Sequence, residues 1–326
     1  MTNATDRQQT ADNRTTADNH TTADNHTTAD NHTTADNHTT ADNHTTGRRA
    51  FLAAGGAVAL TALAGCLGRT VQFGLDADTV TESTGRSIPA GTVRDVRVSN
   101  SVGRVEIHGV ETETVDVKLV KRSRDGQRGL DAISASVDLS ADGLLAVSTA
   151  LADRDWTGRS MPTVDVTITV PSGSEAPTVS AVETMLGDID LRGTRGDARL
   201  ASELGAIRAS GVQGFLTLRT EAGDVEVNDV VGIDEASTDL GRLKLDLLGV
   251  RGNVDIGTNL GEIVLGVADD LDLDLDAAGS AVDSDLQLFD RRSGVGRLSG
   301  RLNAGGRRLR VVSDLGSVSL RAIRRA

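Results

Sequence analysis

Residues 187–260 read GDIDLRGTR, GDARLASEL, GAIRASGVQ, GFLTLRTEA, GDVEVNDVV, GIDEASTDL, GRLKLDLLGVR and GNVDIGTNL, a series of blocks that each begin with glycine. Glycine recurs every nine residues until a two-residue insertion delays the last two, giving Gly187, Gly196, Gly205, Gly214, Gly223, Gly232, Gly241, Gly252 and Gly261. Internal repeats of this kind are typical of folds that stack one small unit many times. The fold of the remaining segments must be compatible with this structural repeat.

Apolar and polar residues alternate inside the blocks. In most of them the second and fourth residues after the glycine are apolar, as Ile189 and Leu191 are after Gly187, and the residues between them are mostly polar. Alternation with a period of two predicts strands that bury one face and expose the other, and the glycines predict tight turns between strands. The repeat therefore predicts an all-β fold made of many short strands.

Charged residues indicate how these strands pair. Asp190, Arg208, Glu226 and Lys244 each occupy the third position after a glycine, and they recur in every second block. Their opposite charges become neighbours if two blocks form one coil and the coils stack in parallel, and such pairs contribute roughly 0.2–1 kcal/mol each. An antiparallel meander would lose this alignment and would favour Asn-Gly or Asp-Gly turns, which the repeat lacks. We predict a β-solenoid with about 18 residues per coil; a β-sandwich or a meander is the alternative.

Two places depart from the pattern. Residues 233–236 put an acid, Asp234, where the alternation requires an inward residue, and the repeat does not account for it. Further along, Leu271, Leu273 and Leu275 are out of phase by one position. This second departure predicts a change of register in which the neighbouring aspartates face water, namely Asp270, Asp272, Asp274 and Asp276.

The charge of the chain limits its partners. Its 326 residues include 47 acidic and 34 basic side chains, a net charge of −13 at pH 7, and from Cys66 onward the counts are 40 and 30. A surface of this charge repels nucleic acids and anionic membranes, so no nucleic-acid partner is expected. The chain has three lysines: Lys118, Lys121 and Lys244. An acid-rich and lysine-poor composition is typical of proteins from halophiles; the alternative is a GC-rich genome that favours arginine codons.

Cysteine and aromatic residues are scarce. A single cysteine excludes an internal disulfide and a cysteine-based metal cluster. With no tyrosine and one tryptophan, the core has to consist of aliphatic side chains. The sequence also has no phosphate-binding loop and no basic patch with interleaved aromatic residues. It therefore predicts neither a cofactor nor a resident metal ion.

The first 46 residues are a low-complexity segment built on the hexapeptide TTADNH, which cannot bury a core. Histidine recurs in it at positions 20, 26, 32, 38 and 44. A metal-binding tract or a set of glycosylation sequons is one interpretation. We favour an expanded DNA repeat without function, because this segment precedes the export signal and would be removed with it.

Residues 47–66 combine three elements of an export signal in the expected order: paired arginines, an apolar run and a small-residue box before cysteine. The twin-arginine motif comprises Arg48, Arg49, Phe51 and Leu52, and the lipobox comprises Leu63, Ala64 and Gly65 before Cys66. The apolar run, 50–63, is shorter than the roughly 20 residues that span a bilayer. We predict export by the twin-arginine route and a lipid on Cys66, which places the protein on the outer face of the cytoplasmic membrane. An uncleaved anchor is the alternative.

The remaining chain divides into a linker, 67–86, and a β-strand-repeat domain, 87–322. The first part of this domain looks antiparallel, because two alternating segments flank Asp142-Gly143, a strong hairpin signal. We expect this part to cap one end of the solenoid, whose exposed strand edge would otherwise invite aggregation. At the other end the alternation returns in residues 316–320, and we expect the basic ending, Arg321, Arg324 and Arg325, to blunt the far edge.

Three segments carry a resemblance to a known family. Residues 88–91 (IPAG), 98–107 (VSNSVGRVEI) and 166–171 (VTITVP), followed by the glycine-spaced repeat, resemble the β-strand-repeat domains of unknown function known as putative adhesins. The resemblance covers roughly residues 87–322. It implies a surface-exposed β-solenoid, often on lipoproteins, and it implies no catalytic residue.

Calcium sites, loose cation sites and a polysaccharide-cleaving site each have a simpler alternative interpretation. Calcium-binding β-rolls need Gly-Gly-x-Gly-x-Asp turns, whereas these turns have one glycine. The acids in 269–276 could bind cations loosely, although a solvated face explains them more simply. A polysaccharide-active β-helix hydrolase or lyase needs paired carboxylates and often an aromatic platform. Trp156 is the candidate platform or a cover for the solenoid end, and His108 is better explained as a surface residue than as a base.

Together these observations favour a non-catalytic function. The chain is predicted to be a lipid-anchored cell-surface β-solenoid that acts as a binding or adhesion platform or as an envelope spacer. Its expected partners are the membrane, through the lipid on Cys66, and an envelope glycoprotein or polysaccharide. The alternative is the polysaccharide-active enzyme.

Overall fold

A computed structural model of the chain describes residues 68–73, 79–152 and 156–324. The predicted low-complexity segment 1–46 and the predicted export signal 47–66 lie outside these residues. The described part is all-β, as predicted, and belongs to one of two units of the chain, residues 56–326. No helix in the described ranges is both long and apolar enough to cross a membrane.

The described residues form 22 strands, one short α-helix and one 3-10 turn. The strands are β1 (Gly68–Phe73), β2 (Val80–Pro89), β3 (Asp95–Val102), β4 (Val105–Val110), β5 (Thr114–Ser123), β6 (Ile133–Leu139), β7 (Leu144–Leu151), β8 (Thr163–Pro171), β9 (Thr178–Leu186), β10 (Ile189–Arg192), β11 (Ala198–Leu204), β12 (Ile207–Ala222), β13 (Val225–Leu240), β14 (Leu243–Leu247), β15 (Val254–Leu260), β16 (Ile263–Ala268), β17 (Leu273–Ala278), β18 (Ala281–Ser284), β19 (Phe289–Gly294), β20 (Arg297–Leu302), β21 (Arg307–Leu315) and β22 (Ser317–Ile323). The 3-10 turn is Ala90–Thr92, and α1 (Gly126–Asp131) lies between β5 and β6.

The strands pair in two stacks that we call stack 1 and stack 2. The spatial order of stack 1 is β1, β2, β5, β8, β4, β10, the first half of β12, the first half of β13, β14, β16, β22 and β18. The order of stack 2 is β6, β7, β3, β9, β11, the second half of β12, the second half of β13, β15, β21, β17, β20 and β19. One coil is a strand of stack 2, a glycine turn and a strand of stack 1. In the repeat all of these pairings are parallel, so a meander is excluded there.

The predicted register, in which each strand pairs with the strand two blocks later, is confirmed. Asp190 pairs with Arg208, Arg208 with Glu226 and Glu226 with Lys244 across successive strands of stack 1. The ammonium of Lys244 lies 2.7 Å from a carboxylate oxygen of Glu226. The other contacts differ from those predicted, because Asp190 binds Arg192 on its own strand and Arg208 lies 3.7 Å from Asp188. The alternating signs thus identify the register but not every ion pair.

The core lies between the two stacks and is aliphatic. The second and fourth residues after the stack-1 glycines are buried, as predicted: Ile189, Leu191, Ile207, Ala209, Val225, Val227, Leu243, Leu245, Ile263 and Leu265. Burying one large aliphatic side chain contributes about 1.5–3 kcal/mol. A core made of many equivalent rows therefore accounts for the stability of a domain with so few aromatic residues.

The first part of the domain is antiparallel at its edge, as predicted. Strands β6 and β7 form the hairpin around Asp142-Gly143, and Gly143 adopts a φ of +83° that glycine permits. Strand β2 pairs with β5 in antiparallel register along its whole length, and β1 pairs with the other edge of β2. Residues 68–73 and 80–86, which the sequence placed in the linker, therefore belong to the sheet, because their backbone groups are paired with those of neighbouring strands.

The order of the coils in space differs from their order in the sequence at the C-terminal end. The last coil, β21 with β22, lies between the coil of β15 with β16 and the coil of β17 with β18. The expectation that the basic ending blunts the far edge is wrong for Arg321, since β22 has a partner on both sides. Antiparallel strands β20 and β19 extend stack 2 beyond β17.

The two departures from the pattern have structural causes. The pairing of β12 with β13 contains a register shift between Leu216 and Thr217, so Ile233 and Ala236 are both buried while Asp234 turns toward Arg251. The phase change after residue 270 is confirmed, because Leu273 and Leu275 are buried and Asp274 and Asp276 are exposed. The bulge therefore explains why an acid occupies a position that the alternation assigns to the core.

Candidate binding surface

Every other glycine of the structural repeat lies at the turn between stack 2 and stack 1. The turns stack so closely that a Cβ on Gly205, Gly223 or Gly241 would lie 2.0 Å from the carbonyl oxygen of the corresponding glycine one coil below. The atoms in the way are backbone atoms, which cannot swing aside as a side chain can. Glycine is required here by the approach of one coil to the next.

Buried hydroxyl groups line the inner side of this turn. Thr220 and Thr238 donate hydrogen bonds to the carbonyl oxygens of Gly205 and Gly223, each over 3.1 Å. Ser202, Thr258 and Ser313 do the same to the glycines below them. This row was not predicted, although its signal, a Ser or Thr three positions before every second glycine, is present in the sequence. Because a buried carbonyl needs a partner, each hydroxyl ties one coil to its neighbour.

A row of apolar residues lies on the outer side of the same turn. We call it the leucine row; it comprises Leu186, Leu204, Ala222, Leu240, Leu260 and Leu315, which pair in register on successive strands of stack 2. Four of its leucines keep 51–67% of their surface exposed. Met185, 51% exposed, extends the apolar surface at one end. The row is a contiguous exposed apolar strip of the kind that marks interaction surfaces.

Acidic residues border the leucine row on stack 2. We call them the acidic row; it comprises Glu203, Glu221, Asp239 and Asp314, which precede the leucine-row residues and are all exposed. Asp239 accepts a hydrogen bond from Asn259, and the other three form no ion pair with the residues described. A shallow depression next to Met185 is lined by Glu183, Arg199 and Arg219 together with Glu203 and Glu221. The leucine row thus has a negatively charged border.

Arg251 joins three coils at the opposite turn. The two-residue insertion of the repeat lies in its loop, and its guanidinium contacts the carboxylates of Asp197 and Asp234. The guanidinium carbon lies 4.5 Å from the centre of the Phe215 ring, a cation–π distance. We name this cluster the Arg251 cluster. Its residues come from four different blocks, and nothing in the repeat indicates that they meet.

The Arg251 cluster changes the pKa of its acids and base. A hydrogen bond from the backbone N–H of Phe215, and then the Arg251 guanidinium, lower the pKa of Asp197 below its usual 3.8. The hydrogen bonds to Asp234 and Asp197 raise the pKa of Arg251. A carboxylate with a lowered pKa stabilises the fold above its unfolded pKa, and this contribution is lost as the pH falls through the folded value.

We expect Arg251→Met to lower the free energy of unfolding more near pH 6 than near pH 2.5, because the ion pairs exist only while the acids are charged. Urea unfolding at both pH values measures the difference. Arg242→Met is the matched control, since Arg242 is similarly exposed and its one ion pair with a described residue is with Glu262, at 3.3 Å. An equal loss for Arg251→Met at both pH values would contradict the role of the cluster.

Trp156 is held in place by a hydrogen bond and a cation–π contact. Its indole N–H donates to the carbonyl oxygen of Ser160 over 2.9 Å, and the Arg128 guanidinium lies 5.5 Å from its ring centre. Arg128 belongs to α1, which contacts β2, β5 and β6 and buries Leu130 in that end of the domain. This arrangement agrees with the interpretation of Trp156 as a cover for the end of the solenoid.

Asp125, Asp246 and His108 are candidates for acid–base chemistry in the described part of the chain. Backbone N–H groups of Arg159 and Ser160 hydrogen-bond Asp125, and the first of these bonds is the largest cause that lowers its pKa, the reverse of what a general acid requires. Burial raises the pKa of Asp246 against the opposing charge of Lys244. His108 is partly exposed and lies 3.9 Å from a carboxylate oxygen of Glu106. Asp125, Asp246 and His108 lie on different elements and form no common site.

The remaining predicted site residues divide between described and undescribed parts of the chain. All nine glycines of the structural repeat are described, and seven of them occupy bends between strands. The expected tight turn is absent at Gly214 and Gly232, which lie inside the long strands β12 and β13. Arg48, Arg49, Phe51, Leu52, Leu63, Ala64, Gly65 and Cys66 lie outside the described residues. Within the described ranges, no group of three or more His, Cys, Asp or Glu side chains is placed to hold a metal ion.

Comparison with known proteins gives similarity to solved structures only. No protein-family model and no curated protein matches the chain. It is similar to a putative cell adhesion protein from Clostridium sporogenes, with 10% identity, a TM-score of 0.35 and coverage of 74% of this chain and 100% of that one. It is also similar to a putative adhesin from Bacteroides fragilis, with 14% identity, a TM-score of 0.31 and coverage of 74% and 97%.

A third similar structure is a putative lipid-binding protein from Parabacteroides distasonis, with 13% identity, a TM-score of 0.32 and coverage of 74% of this chain and 96% of that one. Two of the three structures are thus described as adhesion proteins.

Proposed function

We propose that this chain is a non-catalytic binding platform, held on the outer face of the cell by a lipid on Cys66. The observation that supports it best is the leucine row with its acidic border, which places an apolar side chain at the same position of six successive strands of stack 2. An exposed apolar strip of this length costs solubility, so its presence favours a partner that covers it.

The repetition of the surface suits a partner that makes several weak contacts at once. Each coil adds one apolar residue, a leucine in all but the coil of Ala222, and usually one acid beside it, so a long partner can engage successive rows. Binding at linked sites raises overall affinity through effective concentration rather than through one deep pocket. A surface role as an adhesion platform or an envelope spacer makes use of this property, with an envelope glycoprotein or polysaccharide as the expected target.

Attachment of cells tests the platform. A deletion strain complemented with the wild-type chain is compared with one complemented with the Leu240→Ser/Leu260→Ser variant, after surface amounts have been equalised by immunoblotting. We expect deletion to reduce attachment to envelope-coated surfaces and the double variant to reduce it similarly. Normal attachment of the deletion strain would contradict the adhesion role.

The lipid anchor has its own test. We expect Cys66→Ser to release most of the exported protein into the medium, because a signal without its lipidated cysteine leaves no acyl chain to insert. Fractionation of cells and medium followed by immunoblotting measures the change. Arg48→Lys/Arg49→Lys is the control and is expected to keep the chain inside the cell. Continued membrane retention of the Cys66→Ser variant would overturn lipid anchoring.

The polysaccharide-active enzyme is the alternative. It would require two carboxylates facing one substrate, whereas Asp125 and Asp246 lie apart and their pKa values are shifted by unrelated causes. Turnover by the purified chain on a panel of acidic and neutral polysaccharides would establish this alternative in place of the platform.

A further inference from the structure

We infer that the leucine row is a docking site for an amphipathic α-helix of a partner protein, with lysine or arginine along the edge of the helix that faces the acidic row. This inference rests on the proposed function, since it names what the platform binds. It is carried by three properties of the surface: the exposure of the leucines, the spacing of the rows and the charge of the border.

The leucines are exposed at positions where the fold would accept polar residues. Leu204, Leu240, Leu260 and Leu315 are between 51% and 67% exposed, and each stands between a buried hydroxyl row and a glycine turn. The turn geometry is satisfied by the glycine and the hydroxyl, so it does not require an apolar residue between them. A polar residue there would cost the fold little, which leaves binding as the reason for an apolar strip.

The spacing of the rows fits a helix better than an extended strand. Neighbouring strands lie ~4.8 Å apart, so the six rows span about 24 Å. A helix returns the same face every ~5.4 Å, and about 16 residues have this length. An extended strand returns the same face only every ~6.7 Å and loses alignment with the rows after two of them. Helices that dock in this manner use apolar residues at positions i, i+3, i+4 and i+7.

The charge of the border determines the polar edge of the helix. Glu203, Glu221 and Asp314 have no ion-pair partner among the described residues, so they can pair with incoming lysine or arginine side chains. Such pairs add specificity and accelerate association. A second copy of the chain is less suitable, because it would bring the same acids toward the same border, and these acids outnumber the two arginines beside them, Arg199 and Arg219.

The test uses the purified full-length chain and two synthetic peptides, each long enough to form a helix that spans the six rows. One peptide carries leucines on one helical face and lysines along one edge; the other carries glutamates in place of the lysines. We expect the lysine peptide to bind and to gain helical circular dichroism, and the glutamate peptide to bind at least about tenfold more weakly.

Variants of the chain locate the binding. Leu240→Ser/Leu260→Ser is expected to weaken binding of the lysine peptide at least about tenfold. Glu203→Gln/Glu221→Gln is expected to weaken it about threefold or more and to reduce its dependence on salt. Val231→Ser is the matched control, because Val231 is 47% exposed at the opposite turn, and its binding should be unchanged.

Four outcomes would overturn the inference. They are equal binding of both peptides, binding without a gain of helicity, unchanged binding by the Leu240→Ser/Leu260→Ser variant, and a dimer of the wild-type chain that this variant abolishes. The dimer would show that a second copy covers the row. If any of these is found while the double variant still loses attachment in cells, the platform stands and the helix as its partner is rejected. Normal attachment of the deletion strain instead rejects the platform.

Discussion

Gly223→Ala is expected to destabilise the domain severely, by about 3 kcal/mol or more, although it adds one methyl group. The new Cβ would lie 2.0 Å from the carbonyl oxygen of Gly205 and 2.5 Å from its carbonyl carbon. Relieving the clash requires separation of two coils that are held by backbone hydrogen bonds on both stacks. The cost therefore comes from the sheet rather than from a local side-chain adjustment.

Urea unfolding followed by far-ultraviolet circular dichroism measures this effect. Gly252→Ala is the matched control, because a Cβ at Gly252 meets no atom within 4 Å. It should be neutral or slightly stabilising, since alanine reduces the freedom of the unfolded chain. Equal stability of the Gly223→Ala and Gly252→Ala variants would mean that the coils are farther apart than the structure shows.

Thr220→Val is expected to lower the free energy of unfolding by about 1–3 kcal/mol, because it removes the hydroxyl that donates to the buried carbonyl oxygen of Gly205. Valine has nearly the same shape, so packing is preserved and the hydrogen bond is what changes. Thermal and urea unfolding of the full-length chain measure the loss.

The chain supplies a control for this prediction at the equivalent position two coils away. The hydroxyl of Thr184 is buried and has no hydrogen-bond partner among the described residues, because the amide nitrogen of Asn100 donates to the carbonyl oxygen of Gly103 over 2.9 Å. Thr184→Val should therefore be neutral or stabilising, since it removes a buried polar group that makes no hydrogen bond. A loss as large as that of Thr220→Val would show that the hydroxyl row does not act through these hydrogen bonds.

The local structure and the register of the repeat were predictable from the sequence. Alternation identified the strands, and the charges of Asp190, Arg208, Glu226 and Lys244 identified parallel pairing between every second block. Both signals lie within single blocks or between consecutive coils. Sequence patterns predict such regular pairings well, because the same spacing of apolar and charged residues recurs from block to block.

The leucine row was not predicted, although its signal is present in the sequence. Leucine precedes Gly187, Gly205, Gly241, Gly261 and Gly316, whereas arginine, glutamine or valine precedes the glycines of the opposite turn. When the blocks are aligned with a nine-residue period, the two kinds of turn are superimposed and the difference between them is lost. A search with the doubled period separates them, since each coil has two corners with different surroundings.

The position of the last coil could not have been predicted from the repeat. Strands β21 and β22 alternate like the others, and nothing in that alternation says which neighbours they take. Their place between β15 with β16 and β17 with β18 is visible only in the strand pairing of the folded chain. The Arg251 cluster was equally hidden, because Asp197, Asp234 and Arg251 are brought together by a bulge and an insertion rather than by the repeat.

The place of the final coil has a consequence for biosynthesis. Residues 273–284 leave the ribosome before 307–323, yet their parallel partners are in those later residues. A nascent chain therefore cannot complete this end as it emerges, and strands β17 and β18 keep an unpaired edge until residues 307–323 have been synthesised. Premature termination after residue 300 would remove the coil of β21 with β22 and leave the two neighbouring coils each with an unpaired edge. These unpaired strand edges are a feature by which cellular quality control can recognise the truncated product.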